Sequence, residues 1–355
     1  MILQPSSIAA LEAVIPEHPR LRVRGGGTKA ALSGELAGTP TLDLTGLAGI
    51  VEHTPEECTF TALAGTRISG IERLLAQHRQ YLPFDPPLAR AGSTIGGTVA
   101  AGVNGSCRYR YGGARDFLIG ARIVDGRGRL TRSGGKVVKN AAGFLLHQAL
   151  VGSCGTLGIL AELTFKVFPA AEAHVTIRVD TGDLASASVL MATVQRARFD
   201  LEALDLEPPG TLWLRLGGFR EALATRVAGL QRGIGGPCEI LDESDDAVVW
   251  RDAREFTWAP RDTSLVRVPI ASPTLRPLDA ALLPYGATRR YGVAGNLALI
   301  AWRDSLDTLS DLLGGMDLTG QVLLGPPGRR SIGAVSANAF EERLRGVMDP
   351  DARFS

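Results

Sequence analysis

Residues 91–105 read AGSTIGGTVAAGVNG, a stretch of glycine, alanine, valine and hydroxyl residues without a charge. Such a segment predicts that the main chain is itself a binding surface, because glycine lets another group approach the backbone closely. Successive N–H groups in a turn of this kind form a concave site that suits an anion. Gly96 and Gly97 lead into the small residues 98–101, which predicts a short helix whose N-terminus favours phosphate. The alternative is a tight loop beside a closely packed helix.

Two further glycine turns flank this stretch. RGGGTK at 24–29 follows the short apolar run 21–23, and GSCGTLG at 152–158 precedes an apolar segment. A single glycine motif is a weak signal. Three separated turns, each next to an apolar segment, favour a long ligand that is held along its length.

Length and composition indicate an ordinary globular protein. The 355 residues are 45% apolar and 21% charged, which is typical of about two folded domains. With 38 basic and 37 acidic residues, the charge balance does not favour nucleic acid or an anionic membrane as partner. The sequence contains no apolar run of membrane-spanning length, and residues 1–20 lack a leader pattern, so we expect a cytoplasmic location.

The cysteines and histidines argue against a metal centre. The four cysteines form no CxxC pair, which disfavours a zinc site, an iron–sulfur cluster or a disulfide framework. The five histidines lack metal-ligand spacing, and none follows His174. A histidine-centred metal site in residues 175–355 is therefore excluded unless a partner supplies ligands. The cysteines are Cys58, Cys107, Cys154 and Cys238.

Apolar periodicity and turn residues predict an α+β fold in two domains, with a boundary near residues 169–173. DGRG at 125–128 predicts a hairpin, and residues 175–231 alternate strand and helix as in a compact α/β plait. The first half is predicted to hold helices at 4–14, capped at Ser6 or Ser7, at 68–77 and at 141–151, and strands at 21–24, 41–44, 49–53, 59–64, 118–124 and 159–167.

The C-terminal half carries two further expectations. Residues 339–349 predict an amphipathic helix with Phe340, Leu344 and Val347 on one face. Three tryptophans are candidates for an exposed, partner-facing surface: Trp250, Trp258 and Trp302.

Seven motifs in order resemble the PCMH-type flavin-binding domain of the vanillyl-alcohol oxidase family. Within that family the chain is most similar to FAD-binding subunits of bacterial glycolate oxidases, strongly over about residues 1–170 and weakly beyond. The motifs are RGGGTK (24–29), PFDPP (83–87), STIGGTVAAG (93–102), YGGARDFLIGARIV (111–124), GGKVVKNAAG (134–143), GSCGTLGIL (152–160) and DPDARF (349–354).

The resemblance implies a domain arrangement. Residues 1–170 would form an FAD-binding domain of two α+β subdomains with FAD between them. Residues 171–355 would form a small ferredoxin-like α/β-plait cap, whose last helix returns toward the flavin domain.

The resemblance also implies the residues that hold FAD. The first glycine turn would contact the pyrophosphate through its main chain, residues 92–97 would lie near the pyrophosphate and ribityl chain, and residues 152–159 near the adenosine. The implied cofactor-binding set is Arg24, Gly25, Gly26, Gly27, Thr28, Lys29, Pro87, Gly92, Ser93, Thr94, Gly96, Gly97, Ala100, Gly102, Tyr111, Gly112, Arg115, Asp116, Lys139, Gly152, Gly155, Thr156 and Ile159.

The sequence departs from the family pattern at several positions, and these departures limit which functional residues can be transferred from relatives. Relatives with covalent flavin place a histidine in the first glycine turn, and RGGGTK has none, so FAD is expected to be non-covalent. Relatives read AGYDL where residues 142–146 read AGFLL, and catalytic subunits often carry Glu at the position of Cys154. No catalytic residue is therefore assigned, and no metal is expected.

Several side chains have both a functional and a structural interpretation. Five cations are candidates for stabilising charge on a reduced flavin or for binding a small carboxylate, although solvated surface charge is favoured for each. Arg115 and Asp116 are read as an internal pair, Tyr109 and Tyr111 as flavin-stacking or core residues, and Cys154 as a reactive thiol or, preferably, a small buried residue. The cations are Arg108, Arg110, Arg115, Lys136 and Lys139.

Three functional hypotheses remain open from the sequence. The first is an FAD-binding subunit of a glycolate (2-hydroxy acid) oxidase complex that works with a catalytic flavin subunit and an iron–sulfur subunit. The second is a non-catalytic assembly subunit with a flavoprotein fold. The third is a stand-alone FAD-dependent dehydrogenase for D-lactate or a related 2-hydroxy acid.

Overall fold

The first half of the chain alternates short strands and helices, as the sequence predicts. The structure is a computed structural model and describes residues 1–34, 38–135, 145–335 and 339–354. Ser7 caps the first helix, because its hydroxyl accepts a hydrogen bond from the amide of Ala10 at 3.1 Å. The elements of this half are β1 (Ile2–Leu3), α1 (Ile8–Val14), β2 (Arg22–Arg24), β3 (Thr41–Asp43), β4 (Ile50–Thr54), β5 (Thr59–Leu63), α2 (Ile68–Ala76), β6 (Gln80–Tyr81), α3 (Ile95–Ala101), α4 (Arg108–Tyr111), α5 (Ala114–Phe117), β7 (Leu118–Val124), β8 (Leu130–Gly134), α6 (Leu146–Ala149), β9 (Ile159–Lys166) and β10 (Phe168–Pro169).

Two sheets organise this half. A three-stranded parallel sheet has the order β1-β3-β2, and a five-stranded antiparallel sheet has the order β4-β5-β9-β7-β8. The predicted hairpin is confirmed, since β7 pairs with β8 across residues 125–128. Helices α2 and α3 share one apolar core with the larger sheet, where Ile71 and Val99 are buried beside Phe60 and Phe165. Of the helix predicted at 141–151, α6 is described, and residues 141–144 lie outside the described part.

The second half contains longer elements than the first. Its strands alternate with helices from residue 173 onward. The elements are β11 (Ala173–Asp180), α7 (Leu184–Ala197), β12 (Ala203–Glu207), β13 (Thr211–Gly218), α8 (Arg220–Ile234), β14 (Glu239–Leu241), α9 (Glu243–Glu255), β15 (Ser264–Pro269), α10 (Ser272–Leu282), β16 (Thr288–Gly292), β17 (Leu297–Trp302), α11 (Leu306–Gly315), β18 (Thr319–Leu324), β19 (Ser331–Gly333) and α12 (Ala339–Met348).

The sheet of the second half has nine strands: two βαββαβ units side by side supply eight, and β19 pairs with β18 at the edge. The first unit has the order β14-β11-β13-β12 and the second the order β16-β17-β15-β18, so each has the ferredoxin-like order of strands. The units meet where Leu206 of β12 pairs with Tyr291 of β16. The predicted plait is confirmed as the first unit. The second unit was not predicted, because its first helix, α10, contains Pro277, and a proline in the sequence disfavours a helix.

The expectation of exposed tryptophans is wrong for two of the three. Trp250 is 4% exposed and Trp302 is 1% exposed, whereas Trp258 is half-buried. The indole N–H of Trp250 donates to Thr176 Oγ1 at 2.7 Å, and that of Trp302 donates to the Ser305 carbonyl at 2.9 Å. Both rings therefore belong to the core of the second half.

The last helix also differs from expectation. Phe340 and Val347 are each 67% exposed, and the buried residue of α12 is Met348, which contacts the core around the five-stranded sheet. Beyond the helix, Arg353 donates to the His18 carbonyl at 2.6 Å, and Phe354 packs with the apolar residues of α1. The end of the described chain therefore lies against the first half. Within the described residues, every helix lacks the length or the apolar character needed to cross a membrane.

Candidate cofactor-binding site

The three glycine turns meet at one cleft in the first half. The cleft measures about 750 Å³ with its open mouth included. Its lining brings together residues from all three turns: Arg24, Gly25, Gly26, Gly27, Thr28 and Lys29 of the first, Thr94, Gly96, Gly97 and Ala100 of the second, and Gly155 and Ile159 of the third.

Glycine is required where the turns touch one another. A Cβ added to Gly26 would lie 2.1 Å from the carbonyl oxygen of Gly92, and one added to Gly102 would lie 2.9 Å from the Cα of Gly152. The third turn is also tied to α3, because the amide of Cys154 donates to the carbonyl of Ala100 at 2.8 Å. The backbones of the three turns therefore form one continuous wall.

The start of α3 does not offer free amides. Ile95 N–H donates to the Thr66 carbonyl and Gly96 N–H to the Ala64 carbonyl, both at 2.9 Å. Gly97 N–H donates to the Thr94 side chain at 3.3 Å, which caps the helix. The expectation that this helix N-terminus binds phosphate is therefore wrong in its physical basis, because the donors already have acceptors within the protein.

The first glycine turn is the opposite case. Among the described residues, no protein acceptor is within hydrogen-bond reach of the amides of Gly26, Gly27, Thr28 and Lys29. Gly26 and Thr28 are half-buried and Gly27 is exposed, so their amides are open to water or to a ligand. Consecutive unpaired amides in a turn form an anion-binding nest. The sequence predicts free amide donors in both the first and the second glycine turn, and the structure leaves them free in the first turn.

Lys29 adds a positive charge to the same turn. Its Nζ donates to Thr28 Oγ1 at 3.2 Å and to Ser93 Oγ at 3.3 Å, which links the first turn to the second. Burial lowers the pKa of Lys29 to about 8, while the carboxylate of Glu255 acts in the opposite direction. At the start of the turn, Arg24 donates to Asp43 at 2.5 Å and is thereby held beside the cleft.

A second group of unpaired polar atoms lies toward the second half. Cys154, which lines the cleft, is contacted by Gln321 Nε2 at 3.8 Å, and Arg267 is the cross-strand neighbour of Gln321. Within the described residues, Arg267 Nε, Gln321 Oε1 and the indole N–H of Trp258 are buried without a partner. Burial, with Arg108 nearby, lowers the pKa of Arg267 to about 10. No sequence motif marks these residues, because they come from separate strands and loops.

Some predicted residues support the cleft without lining it. Ser93 Oγ donates to the Pro87 carbonyl at 3.0 Å, and Thr156 donates to the Ser153 carbonyl at 2.8 Å. Gly92, Gly102 and Gly152 make the backbone contacts described above. These six residues hold the turns in position, and their contact with a cofactor stays a prediction.

Another predicted group lies away from the cleft. Tyr111 packs on the core of the first half and its hydroxyl donates to Glu202 at 2.8 Å. Arg115 and Asp116 are not paired with each other, since Arg115 Nε contacts Gln148 Oε1 at 3.5 Å and Asp116 accepts from the Gly113 amide at 2.8 Å. Gly112 has φ +86° in the same segment. These four residues are not brought to the cleft.

The other candidate side chains pack on the core, form an ion pair or face solvent. Tyr109 packs against the core of the second half, Arg110 pairs with Asp200, and Arg108 is exposed. Burial raises the pKa of the Cys154 thiol, which favours its unreactive protonated form. Lys136 and Lys139 lie outside the described residues.

Sequence reasoning missed most of the apolar wall. These residues belong to ordinary strand and helix patterns, so only their position beside the glycine turns marks them. They are Val23, Leu32, Ser33, Leu44, Ala64, Ala101, Gly158 and Leu160.

The lining fits a long ligand with an anionic middle and apolar ends. Unpaired amides and an ammonium lie in the first turn, with apolar residues on either side. These features match the diphosphate, adenine and ring of FAD. In the part of the chain that the structure describes, no three His, Cys, Asp or Glu side chains are placed to hold a metal ion.

Comparison with known proteins agrees with this fit. Residues 1–134 match the family described as "FAD binding domain". The fold is similar to that of p-cresol methylhydroxylase with substrate bound, with a TM-score of 0.78 and 14% identity over 99% of this chain and 88% of that one. Glycolate oxidase subunit GlcD of Bacillus subtilis is 32% identical over 41% of this chain and 33% of its own length.

The similarity to one relative extends over most of the chain. Glycolate oxidase subunit GlcE of Escherichia coli is 32% identical over 296 residues, which cover 80% of this chain and 80% of the relative. The mixed α+β fold and the flavin-binding domain are thereby confirmed. The chain belongs to the GlcE family of glycolate oxidase subunits, which are FAD-binding oxidoreductases.

Proposed function

We propose that this chain is an FAD-binding subunit of a complex that oxidises glycolate or a related 2-hydroxy acid. In this proposal residues 1–170 bind FAD without a covalent bond, and residues 171–355 form the cap. A catalytic flavin subunit and an iron–sulfur subunit complete the complex, since the chain has no cysteine set for a cluster of its own. A cytoplasmic location, with any membrane association made through partners, is part of the proposal.

The observation that carries the proposal is how much of the chain aligns with the GlcE relative. The alignment with the GlcE relative covers 80% of each chain, so it includes both halves, whereas the alignment with GlcD covers 41% of this chain. The cleft supports the cofactor assignment, because its unpaired amides and buried ammonium complement a diphosphate.

The roles of the protein groups follow from the geometry. FAD, when bound, supplies the redox chemistry. The first glycine turn would bind the diphosphate, and Val23, Ile159 and Leu160 would exclude water from the apolar end of the cleft. Of the two cations of the second half that act on Cys154, Arg330 and Arg267, Arg267 has an Nε that is buried without a partner among the described residues. It is the group we assign to contact an electronegative atom at the Cys154 end of the cleft.

Histidine content separates this proposal from a stand-alone dehydrogenase. General-base catalysis of hydroxyl deprotonation most often uses histidine. His174, at the start of β11, is paired with Glu202 at 3.2 Å, and residues 175–355 contain no histidine, so the rest of the cap offers no histidine base or ligand. We therefore assign the chemical step to the complex and not to the isolated chain.

The first test is the visible absorption spectrum of the purified chain before and after addition of FAD. We expect flavin bands in the protein fraction and full release of FAD on acid precipitation. Anaerobic glycolate should then bleach the flavin in the presence of the partner subunits and leave the isolated chain oxidised.

Each alternative predicts a different result. A chain that cannot be reconstituted with FAD would contradict the proposal and favour a non-catalytic assembly subunit. Turnover of D-lactate or glycolate by the isolated chain would favour the stand-alone dehydrogenase. Flavin that stays with the precipitated protein would contradict the non-covalent assignment.

A further inference from the structure

Lys29 is a buried cation that has no acidic partner among the residues the structure describes. Its side chain is 9% exposed and lines the cleft. Its Nζ is bonded to the hydroxyls of Thr28 and Ser93, and among the described residues it forms no ion pair. A buried ammonium costs free energy unless an anion compensates its charge. Lys29 is therefore placed for an anion that the described part of the chain does not provide.

The neighbouring main chain indicates which anion this is. The amides of residues 26–29 belong to the same turn and, within the described residues, lack acceptors. Amides and ammonium are all donors, so one ligand with several negative oxygens satisfies them together. A diphosphate is such a ligand, and a single carboxylate offers too few oxygens for four amides and an ammonium.

We propose that the Lys29 ammonium is the counter-charge of the cofactor diphosphate, so that binding of FAD or ADP draws one proton onto Lys29 at alkaline pH. This inference rests on the FAD-binding role proposed above. The first glycine turn was expected to bind the diphosphate through its main chain alone. The inference gives the Lys29 side chain a part in that binding and makes the binding dependent on pH.

The direction of the linkage follows from the two states of the lysine. In the ligand-free chain, burial lowers the pKa of Lys29 to about 8, so the amine is charged below that pH and loses its proton above it. A diphosphate in contact favours the charged form and raises the pKa. Affinity for the diphosphate is therefore highest below about pH 8 and falls by up to about tenfold per pH unit above it, until the pKa of the bound state is reached.

Other charged groups around Lys29 do not produce the same linkage. Glu255 acts on it from α9, Arg24 and Asp43 lie at the start of the turn, and Arg67 Nη1 contacts the Gly92 carbonyl at 3.3 Å. Ordinary carboxylates and guanidinium groups keep their charge in the pH range in which lysine titrates. Arg267, whose pKa burial lowers to about 10, changes charge in the wild type and in the Lys29 variants alike, so the comparison between them isolates Lys29. Cys154 also lines the cleft, and burial raises the pKa of its thiol. Cys154→Ser is therefore a control in which the pH dependence of ligand binding should persist.

The same burial has a measurable effect on the ligand-free chain. The folded pKa of Lys29 is below its ordinary value of 10.5, so the unfolded chain holds the proton more firmly between about pH 8 and 10.5. At neutral pH the buried charge therefore disfavours folding. Lys29→Met is expected to raise the melting temperature of the ligand-free chain while it weakens FAD binding.

The experiment measures the dissociation constants of FAD, by flavin fluorescence, and of ADP, by calorimetry, from about pH 7 to pH 10. In the wild type, the affinity for both ligands should fall above about pH 8. At alkaline pH each bound ligand should bring the uptake of close to one proton, which calorimetry in two buffers measures. Lys29→Met should bind FAD roughly 10- to 150-fold more weakly at neutral pH and show no decline. Lys29→Arg keeps its charge and should bind at neutral pH without the decline.

Several results would overturn the inference while leaving FAD binding intact. They are a flat pH profile in the wild type, a decline that persists in Lys29→Met, or a linkage seen with FAD and not with ADP. Because ADP has a diphosphate and no flavin, the last result would place Lys29 at the ring. Failure of the wild type to bind FAD at any pH would contradict the proposed function itself.

Discussion

Two regions of this molecule differ in how their polar groups are paired. The cleft uses main-chain amides and one ammonium, and the described residues give these donors no acidic acceptor. The seam between the two halves uses paired side chains: Tyr111 donates to Glu202 at 2.8 Å and Arg254 donates to Glu72 at 2.7 Å. Since buried polar groups are normally paired, unpaired donors indicate a ligand site and paired charges indicate a structural contact.

The largest effect is expected from a methyl group in the cleft. The Cβ of Gly26→Ala would lie 2.1 Å from the carbonyl oxygen of Gly92, so one of the two backbones must move. Such a shift separates the unpaired amides, and the dissociation constant of FAD should rise by roughly 100-fold, equivalent to about 2.7 kcal/mol. Fluorescence titration with FAD measures it.

Gly70→Ala is the matched control. Gly70 lies in α2, where an added Cβ would meet no atom within 4 Å. Alanine should leave FAD affinity unchanged and stabilise the helix by about 0.5–1 kcal/mol. Equal loss of FAD affinity in both variants would show that the effect is not specific to the turn.

The next effect concerns the seam. Arg254 joins α9 to Glu72 at 2.7 Å and to Asp85 at 3.5 Å, with these side chains 18–30% exposed. Arg254→Met leaves both carboxylates half-buried without their cation, which should lower the free energy of unfolding by about 2 kcal/mol after allowance for partial exposure. Urea denaturation measures it.

An exposed pair provides the control for this variant. Arg303 and Asp262 are bonded at 2.8 Å and are 66% and 65% exposed. Arg303→Met should leave the midpoint of urea denaturation close to the wild-type value, because an exposed ion pair contributes little to stability. If the two variants cost the same, the seam pair would have no special structural role.

A smaller effect tests the second glycine turn. Thr94→Val removes the oxygen that accepts the Gly97 amide at the start of α3. Loss of this cap should lower stability by about 1 kcal/mol, and it should weaken FAD binding less than Gly26→Ala does. Thermal unfolding and FAD titration on the same samples measure both quantities. A larger loss of affinity than in Gly26→Ala would reverse the assignment of the two turns.

The smallest effect is a pH dependence at the seam. Burial opposes ionisation of Glu202, but hydrogen bonds from His174 and Tyr111 and the nearby charges outweigh it and lower the pKa of Glu202. A lowered carboxylate pKa stabilises the fold above the unfolded pKa, and this contribution is lost as the pH falls. Wild type should therefore lose stability more steeply than Glu202→Gln from about pH 5 to pH 3 in urea titrations. Parallel curves would contradict a role for the charge.

Much of the fold follows from local patterns in the residue order. Glycine turns at 24–29, 92–97 and 152–158, the hairpin at 125–128 and the first plait depend on residues that are neighbours in sequence, so glycine content and periodicity predict them. The resemblance to flavoproteins rests on the same segments. The second plait did not follow, because its helix α10 contains Pro277, and the helix forms there in spite of a residue that disfavours it.

Which turn offers its donors depends on contacts between distant residues. Both glycine turns look alike in sequence, yet the carbonyls of Ala64 and Thr66 occupy the amides of α3, and no described group occupies those of residues 26–29. The isolation of Lys29 and the burial of Trp250 likewise depend on what the other segments place beside them. The residue type determines which hydrogen bonds a group can make. Only the tertiary structure determines whether another part of the protein already makes them.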